Sequence, residues 1–350
     1  MLSQGIPERF ASLFADAANG SKKYATWKQR KSVMNIVNKC REELGELLTF
    51  PWARQELHNF VGWCMEQNLK SNTIEQYVSN VRSLHKEVGL RMDDSDWPFL
   101  NNIIKGHGNL SENRAGRIPM TPELMYKLKW RLKKSYQNIK EKRLVWAVCT
   151  ILFQGSFRIG EILAPTTSRF CPDSTLLGKN IILEQTWVGD KHVDMLKFSI
   201  RKPKETKGNA LVNVEIFDLG PNCFYNGMSA WKKWRETSTL PIMDELPAFR
   251  KEDGSLLTPP QLNTIIQTLL KEDISYLEGT LASHSFRSGV VTIMGRLGYT
   301  EDEIKRQGRW TSEAFRTYLK MGRGVRMEEQ YNLATRIANL INSNGVLQRL

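Results

Sequence analysis

"SHSFRSGVVTIMGRLG", residues 283–298, opens polar and then runs apolar at helical spacing. His284 and Arg287 stand three apart, so a helix starting here carries an imidazole and a guanidinium one turn apart on one face. Two groups that both take positive charge repel each other unless something negative sits between them. The first turn of a helix adds its own preference for an anion, through its unbonded amides and its dipole. A capping histidine beside a surface arginine fits the same residues. The rest of the chain has to decide between the two.

The whole-chain charge leans toward the anion. Lys and Arg number 50 against 37 Asp and Glu, a formal net charge of +13. Such a balance speaks about partners rather than fold, and nucleic acid is the first polyanion to consider. An anionic membrane surface competes, but no short polybasic amphipathic helix is evident. The longest apolar run, "LVWAVCTILF" at 144–153, is far short of the roughly 20 residues of a membrane span and reads as a buried helix. The start "MLSQGIPERFASLFADAANG" lacks the basic-then-apolar pattern of a signal peptide. Five cysteines without CxxC spacing point to reduced thiols in an intracellular protein, and five scattered histidines make a metal site unexpected. We expect no cofactor, no metal and no membrane association.

The 350 residues suffice for about two domains. Residues 1–110 read as helices with short connections. "WKQRKSVMNIVNKCREEL", "ARQELHNFVGWCMEQN" and "SNTIEQYVSNVRSLHKEVG" all place apolar residues at helical spacing. The third has Ser71 or Asn72 as N-cap, with Glu75 three residues after Asn72. "GHGNLSENRAGRIP", 106–119, lacks periodicity and reads as a linker, so 111–120 is set between domains. A second domain, 121–325, starts with Thr121 as N-cap, Pro122 at the first helical position and Glu123 in the first turn. Within it, "NIILEQTWVG", "HVDMLKFSIRK" and "NALVNVEIF" alternate as strands. Helices resume from about residue 221. The fold class is mainly α, with one small antiparallel sheet.

Several stretches carry charge in patterns that chemistry could use. "QGSFRIGEILAP", 154–165, follows the apolar helix and sets Arg158 three residues before Glu161. This is either a structural ion pair or an arginine held for use. "KPKETKG", 202–208, crowds Lys202, Lys204 and Lys207 onto a hairpin tip, where they are a solvated turn or a finger that reaches a phosphate. Trp310 and Tyr318 lie eight apart, Tyr318 on a short helix from Thr311 or Ser312. The run "SKKYATWKQRKS", 21–32, interleaves Lys22, Lys23, Lys28, Arg30 and Lys31 with Tyr24 and Trp27, as a DNA-facing or merely solvated helix would. Arg114 and Arg117 add charge to the linker.

Each piece is weak alone, but their order is not. Arg158 with Glu161, a hairpin lysine, His284-x-x-Arg287, Trp310 and then Tyr318 resembles the catalytic pattern of the tyrosine recombinases, the phage-integrase family. The 23 positions from Arg287 to Trp310 suit that family. "GYTEDEIKRQGRW" and "SEAFRTYL" further resemble its eukaryotic Crypton and DIRS-like transposon branch. The resemblance implies an N-terminal SAM-like core-binding domain and a mostly helical catalytic domain. It also implies a C-terminal helix, 326–350, that docks on a neighbouring protomer, giving dimers on one site and tetramers in a synapse.

The implied activity is site-specific strand exchange on double-stranded DNA through a 3′-phosphotyrosyl bond, without metal or ATP. Arg158 and Arg287 would grip the phosphate bidentately. His284 would take the nucleophile's proton. Trp310 would offer its indole N–H or buttress the pocket, Tyr318 would attack, and Lys204, with Lys207 second, would protonate the leaving 5′-oxygen. The location follows the DNA: the nucleus of a eukaryote, or the cytoplasm of a prokaryote. Two alternatives stay open. One is a type IB-like topoisomerase or telomere resolvase, and the other is a domesticated DNA-binding protein without catalysis.

Overall fold

The computed structural model describes residues 24–45, 51–87, 89–110, 117–135, 137–172, 175–201, 211–275, 277, 279–310 and 312–317. The chain divides into two compact units, Met1–Arg114 and Ala115–Leu350.

The first unit holds α1 (Tyr24–Leu44), α2 (Arg54–Glu66), α3 (Ser71–Glu87) and α4 (Trp97–Leu110). Its core gathers Val33, Val37 and Cys40 from α1, Leu57 and Phe60 from α2, Ile74, Val78 and Val81 from α3, and Ile104 from α4. Burial raises the thiols of Cys40 and Cys64 to about 12, so both stay protonated in the apolar interior. His85 is buried between Trp52, whose amide donates to Nε2 at 3.0 Å, and the Val81 carbonyl, 2.8 Å from Nδ1.

Two helix boundaries differ from the sequence expectation. The amides of Thr73 and Ile74 bond the Lys70 carbonyl, so Ser71 and Asn72 lie inside the first turn of α3 rather than ahead of it. Helix α4 continues through Gly106 to Leu110, into the stretch expected as linker. Packing explains this: a Cβ on Gly108 would stand 2.7 Å from Ser71 Oγ. Glycine there allows α3 and α4 a close approach, which outweighs its low helix propensity.

The second unit is built on α6 (Ile139–Gln154), buried from Leu144 to Phe153. Around it lie α5 (Pro122–Ser135), the single-turn α7 (Ile159–Ile162), α8 (Gly227–Thr237), α9 (Pro259–Ile274), α10 (His284–Arg296) and α11 (Glu301–Gly308). Thr121 Oγ1 accepts from the Leu124 amide, capping α5 as its sequence announces. Helix α8 begins six residues later than the expected resumption near 221, because Asn226 is its N-cap and Asp218 and Gly220 tie down the approach.

Strands β1 (Ile181–Val188), β2 (Lys191–Arg201) and β3 (Leu211–Phe217) form one antiparallel sheet in sequence order. A two-residue turn joins β1 to β2, with Gly189 at φ 58°; that left-handed backbone suits glycine in such hairpins. The sheet joins the unit's core through Leu196, Phe198, Val214 and Ile216, and β3 lies against α8. Gln154, at the end of α6, fixes the junction by donating to the Phe217 carbonyl at 3.0 Å and accepting from the Gly227 amide at 2.9 Å. The sheet is thereby tied to the corner that carries Arg158.

Residues 117–120 belong with this unit rather than with a linker. Arg117 pairs with Thr280 in a parallel bridge, and the Met120 amide bonds the Ser285 carbonyl at 2.8 Å. A Cβ on Gly289 would lie 2.0 Å from the Met120 carbonyl oxygen, so the segment rests directly on α10. All five cysteines are free. Among the described residues no helix is long and apolar enough to cross a membrane.

Candidate active site

Three segments meet at the corner between α6 and α7. Ser156 sits there with φ 48°, fully buried. This left-handed turn sends its carbonyl toward two arginines. Arg287 Nη1 donates to it at 2.8 Å and Arg309 Nη2 at 3.3 Å.

Arg158 is the N-cap residue of α7. Its side chain is 41% exposed, while that of Glu161 is only 5% exposed. One Glu161 oxygen accepts from Arg158 Nη1 at 2.9 Å. The other accepts from the Arg158 amide at 2.8 Å and from Arg309 Nη2 at 2.9 Å. The pair noted in sequence is thus an open arginine anchored on a buried carboxylate.

Helix α10 delivers His284 and Arg287 one turn apart, as their spacing requires. Ser283 makes no side-chain cap; its amide goes instead to Asn263 at 2.7 Å. Arg287 is only 2% exposed. Its terminal nitrogens donate to the carbonyls of Ser156 and Gly308, and its guanidinium carbon lies 3.9 Å from the Trp310 ring centroid. Both arginines were expected to grip the phosphate as planar forks; Arg158 is open and Arg287 is buried. Carbonyl dipoles and the aromatic face take over much of the solvation that Arg287 loses. His284 is half-buried. Burial first, then the charges of Arg117, Arg287 and Arg158, hold its imidazole below the usual histidine value.

Trp310 follows α11 and packs with Phe315, Ile304, Val291 and Met294. Its indole ring covers Gly308 so closely that a Cβ there would lie 1.4 Å from a ring carbon. The chain then makes a 3-10 turn, Glu313–Thr317, rather than an α-helix from Thr311 or Ser312. Arg316 pairs with Glu301 and Glu313, and Lys305 with Glu313, stapling that turn to α11. Phe315 is fully buried beneath it.

Arg309 is the site residue that sequence spacing leaves unmarked. It ends α11 at φ 55° and ψ 46°, and burial pulls its guanidinium below the usual arginine value while Glu161 supports the charge. Arg117, expected as a DNA-gripping linker residue, is exposed and bears on His284 through its charge.

The other sequence-based candidates fare differently. Arg30 does not face outward: it is 5% exposed, binds the Glu87 carboxylate with both terminal nitrogens and reaches Ser83 Oγ at 3.3 Å. It therefore joins α1 to α3. Lys31 is exposed, and Lys28 lies in α1. Lys22, Lys23, Arg114, Lys202, Lys204, Lys207, Tyr318 and the 326–350 segment lie outside the described residues. Among those described, no group of three His, Cys, Asp or Glu side chains is placed to hold a metal ion.

No protein-family model matches the chain, and no curated protein matches it in sequence. Solved structures do. The Tn1549 transposon integrase in complex with transposon right end DNA aligns with a TM-score of 0.57 at 17% identity, covering 92% of this chain and 98% of that one. The XerH site-specific recombinase in a post-cleavage complex with a palindromic difH substrate aligns at 0.54 and 14% identity, over 89% of this chain and 79% of that one. A lambda integrase dimer bound to a COC′ core site aligns at 0.53 and 9% identity, over 87% and 74%. These alignments show that this chain, mostly helical with one small antiparallel sheet, has the tyrosine-recombinase fold.

Proposed function

We propose that the chain is a site-specific DNA strand-exchange enzyme that cleaves and rejoins strands through a 3′-phosphotyrosyl intermediate on Tyr318. One observation carries the reading. Arg158, Arg287 and Arg309 are linked through Glu161 and the Ser156 carbonyl, and His284 lies within the electrostatic reach of two of them and of Arg117. Glu161 is the carboxylate among the described residues of that network, against three guanidiniums. The surplus positive charge calls for an anion, and a phosphodiester attacked in-line spreads additional charge over its non-bridging oxygens.

In this reading Arg158 is the open fork that grips the phosphate, and Arg287 supplies charge from beneath, oriented by the Trp310 face. A neutral His284 accepts the proton of the Tyr318 hydroxyl. The phenolate oxygen bonds to phosphorus as the bond to the 5′-oxygen breaks, and Lys204, or Lys207, returns a proton to that oxygen. Bond number is conserved, so a 5′-hydroxyl from a partner strand reverses the step and exchanges strands. Double-stranded DNA is the substrate, and a dimer on each site with a tetramer in the synapse is the assembly.

The test is a pool of randomised duplexes, each carrying a nick that lets the leaving fragment diffuse away. Protein–DNA adducts resistant to denaturant are captured and sequenced. The proposal expects a recurring motif joined to protein through a 3′-phosphate. No adduct above a protein-free control contradicts it, and relaxation of a plasmid without joining of two sites reassigns the outcome to a topoisomerase. A 5′-phosphorothiolate at the cleaved bond should restore cleavage to a Lys204→Ala variant; restoration of Lys207→Ala instead moves the acid to Lys207.

A further inference from the structure

Arg309 occupies a backbone conformation that non-glycine residues seldom adopt, at a helix end where glycine is the ordinary choice. Its side chain turns inward, 11% exposed, with its guanidinium carbon 5.1 Å from the Phe157 ring centroid. The fork meets three acceptors from one corner: the Gly155 carbonyl at 3.0 Å, the Ser156 carbonyl at 3.3 Å and Glu161 at 2.9 Å.

Two of those acceptors serve the other arginines. Glu161 also holds the Arg158 side chain and amide, and the Ser156 carbonyl also receives Arg287. Removing Arg309 leaves a buried carboxylate short of a donor, takes the arginine bond from the Gly155 carbonyl and leaves the Ser156 carbonyl held by Arg287 alone of the two arginines. A lysine would place one point of charge where a planar fork spans three acceptors.

We propose that Arg309 is a positioning residue of this site: it fixes Glu161 and the Ser156 carbonyl, and through them the open fork of Arg158 and the buried Arg287 beneath it. The consequence for DNA cleavage rests on the strand-exchange reading; the hold on the corner does not.

The experiment uses the full chain with Arg309→Gly, which accepts the backbone, and Arg309→Lys. Hydrogen exchange of the 155–163 peptide reads the corner directly. Exchange about tenfold faster in Arg309→Gly, with α6 unchanged, is expected. Adduct formation is then followed at saturating concentrations of the nicked duplex recovered from the randomised pool. We expect a rate about 10- to 100-fold lower with DNA affinity nearly unchanged, partial recovery in Arg309→Lys, and a much smaller effect of Arg309→Gly in an Arg158→Ala background. Unchanged exchange overturns the proposal, as does an equal loss in the Arg158→Ala background or a loss confined to DNA affinity. If Arg309→Gly melts far below wild type, Arg309→Lys carries the same comparisons. If the wild-type chain forms no adduct, the strand-exchange reading falls, and the exchange data alone decide the role of Arg309.

Discussion

The Arg287 guanidinium lies over the Trp310 ring, its central carbon 3.9 Å from the ring centroid. In a desolvated setting such a contact is worth about 2 kcal/mol, and it orients the fork as well as stabilising it. Trp310→Ala should therefore lower both the melting temperature and the adduct rate, the rate by about 10-fold or more. Trp310→Phe keeps a face for the guanidinium and should lose far less of each. Thermal melts beside single-turnover cleavage check this; equal damage from Ala and Phe would move the contribution of Trp310 to its indole N–H.

Gly308 and Gly289 test how closely the pieces fit. A methyl group on Gly308 collides with the Trp310 ring, and one on Gly289 with the Met120 backbone. We expect Gly289→Ala to cost about 1–3 kcal/mol in urea unfolding, the range for overpacking. Gly308→Ala should displace the indole from Arg287 and lose cleavage out of proportion to stability.

The imidazole of His284 gives a pH signature. Its folded pKa lies below the usual value because burial and then Arg117, Arg287 and Arg158 disfavour the charged form. The unfolded chain therefore takes up this proton first as pH falls. The contribution to stability is complete above about 6.5 and is lost as pH drops through the lower folded value. Melting curves in DNA-free buffer between pH 7.5 and 5 should show that loss, and His284→Gln should lack it. The acid limb of cleavage should lie below pH 6.5 for the free enzyme, since a neutral imidazole is the proton acceptor.

Arg30 belongs to the first unit's architecture. Breaking its largely buried pair with Glu87 should cost about 1–3 kcal/mol, discounted from the fully buried range because Glu87 is 31% exposed. Arg30→Ala should lower the melting temperature and leave the salt dependence of DNA binding unchanged, whereas Lys31→Ala, at an exposed position, should reduce that slope by about one. A reduced slope for Arg30→Ala would return this residue to the DNA face.

Local spacing made much of this legible in sequence. His284 and Arg287 share a helix face because they stand three apart, and Arg158 reaches Glu161 for the same reason. The hairpin followed from alternation, and α6 from its apolar run. Arg309 was not legible, because its acceptors Gly155, Ser156 and Glu161 lie about 150 positions away and only the fold brings them together. Arg30 was legible in principle: it shares a helical stripe with Val33, Val37 and Cys40, all buried, but counting basic residues concealed that register. The glycines at 106 and 108 looked like a linker because close helix packing leaves no trace in composition.

The most direct test is to digest the captured protein–DNA adduct with protease and nuclease and find the residue that carries the phosphate. The account predicts a phosphotyrosine at Tyr318, and no adduct from Tyr318→Phe at DNA concentrations where that variant still binds. A phosphate on any side chain other than Tyr318, or an adduct that survives Tyr318→Phe, would contradict it.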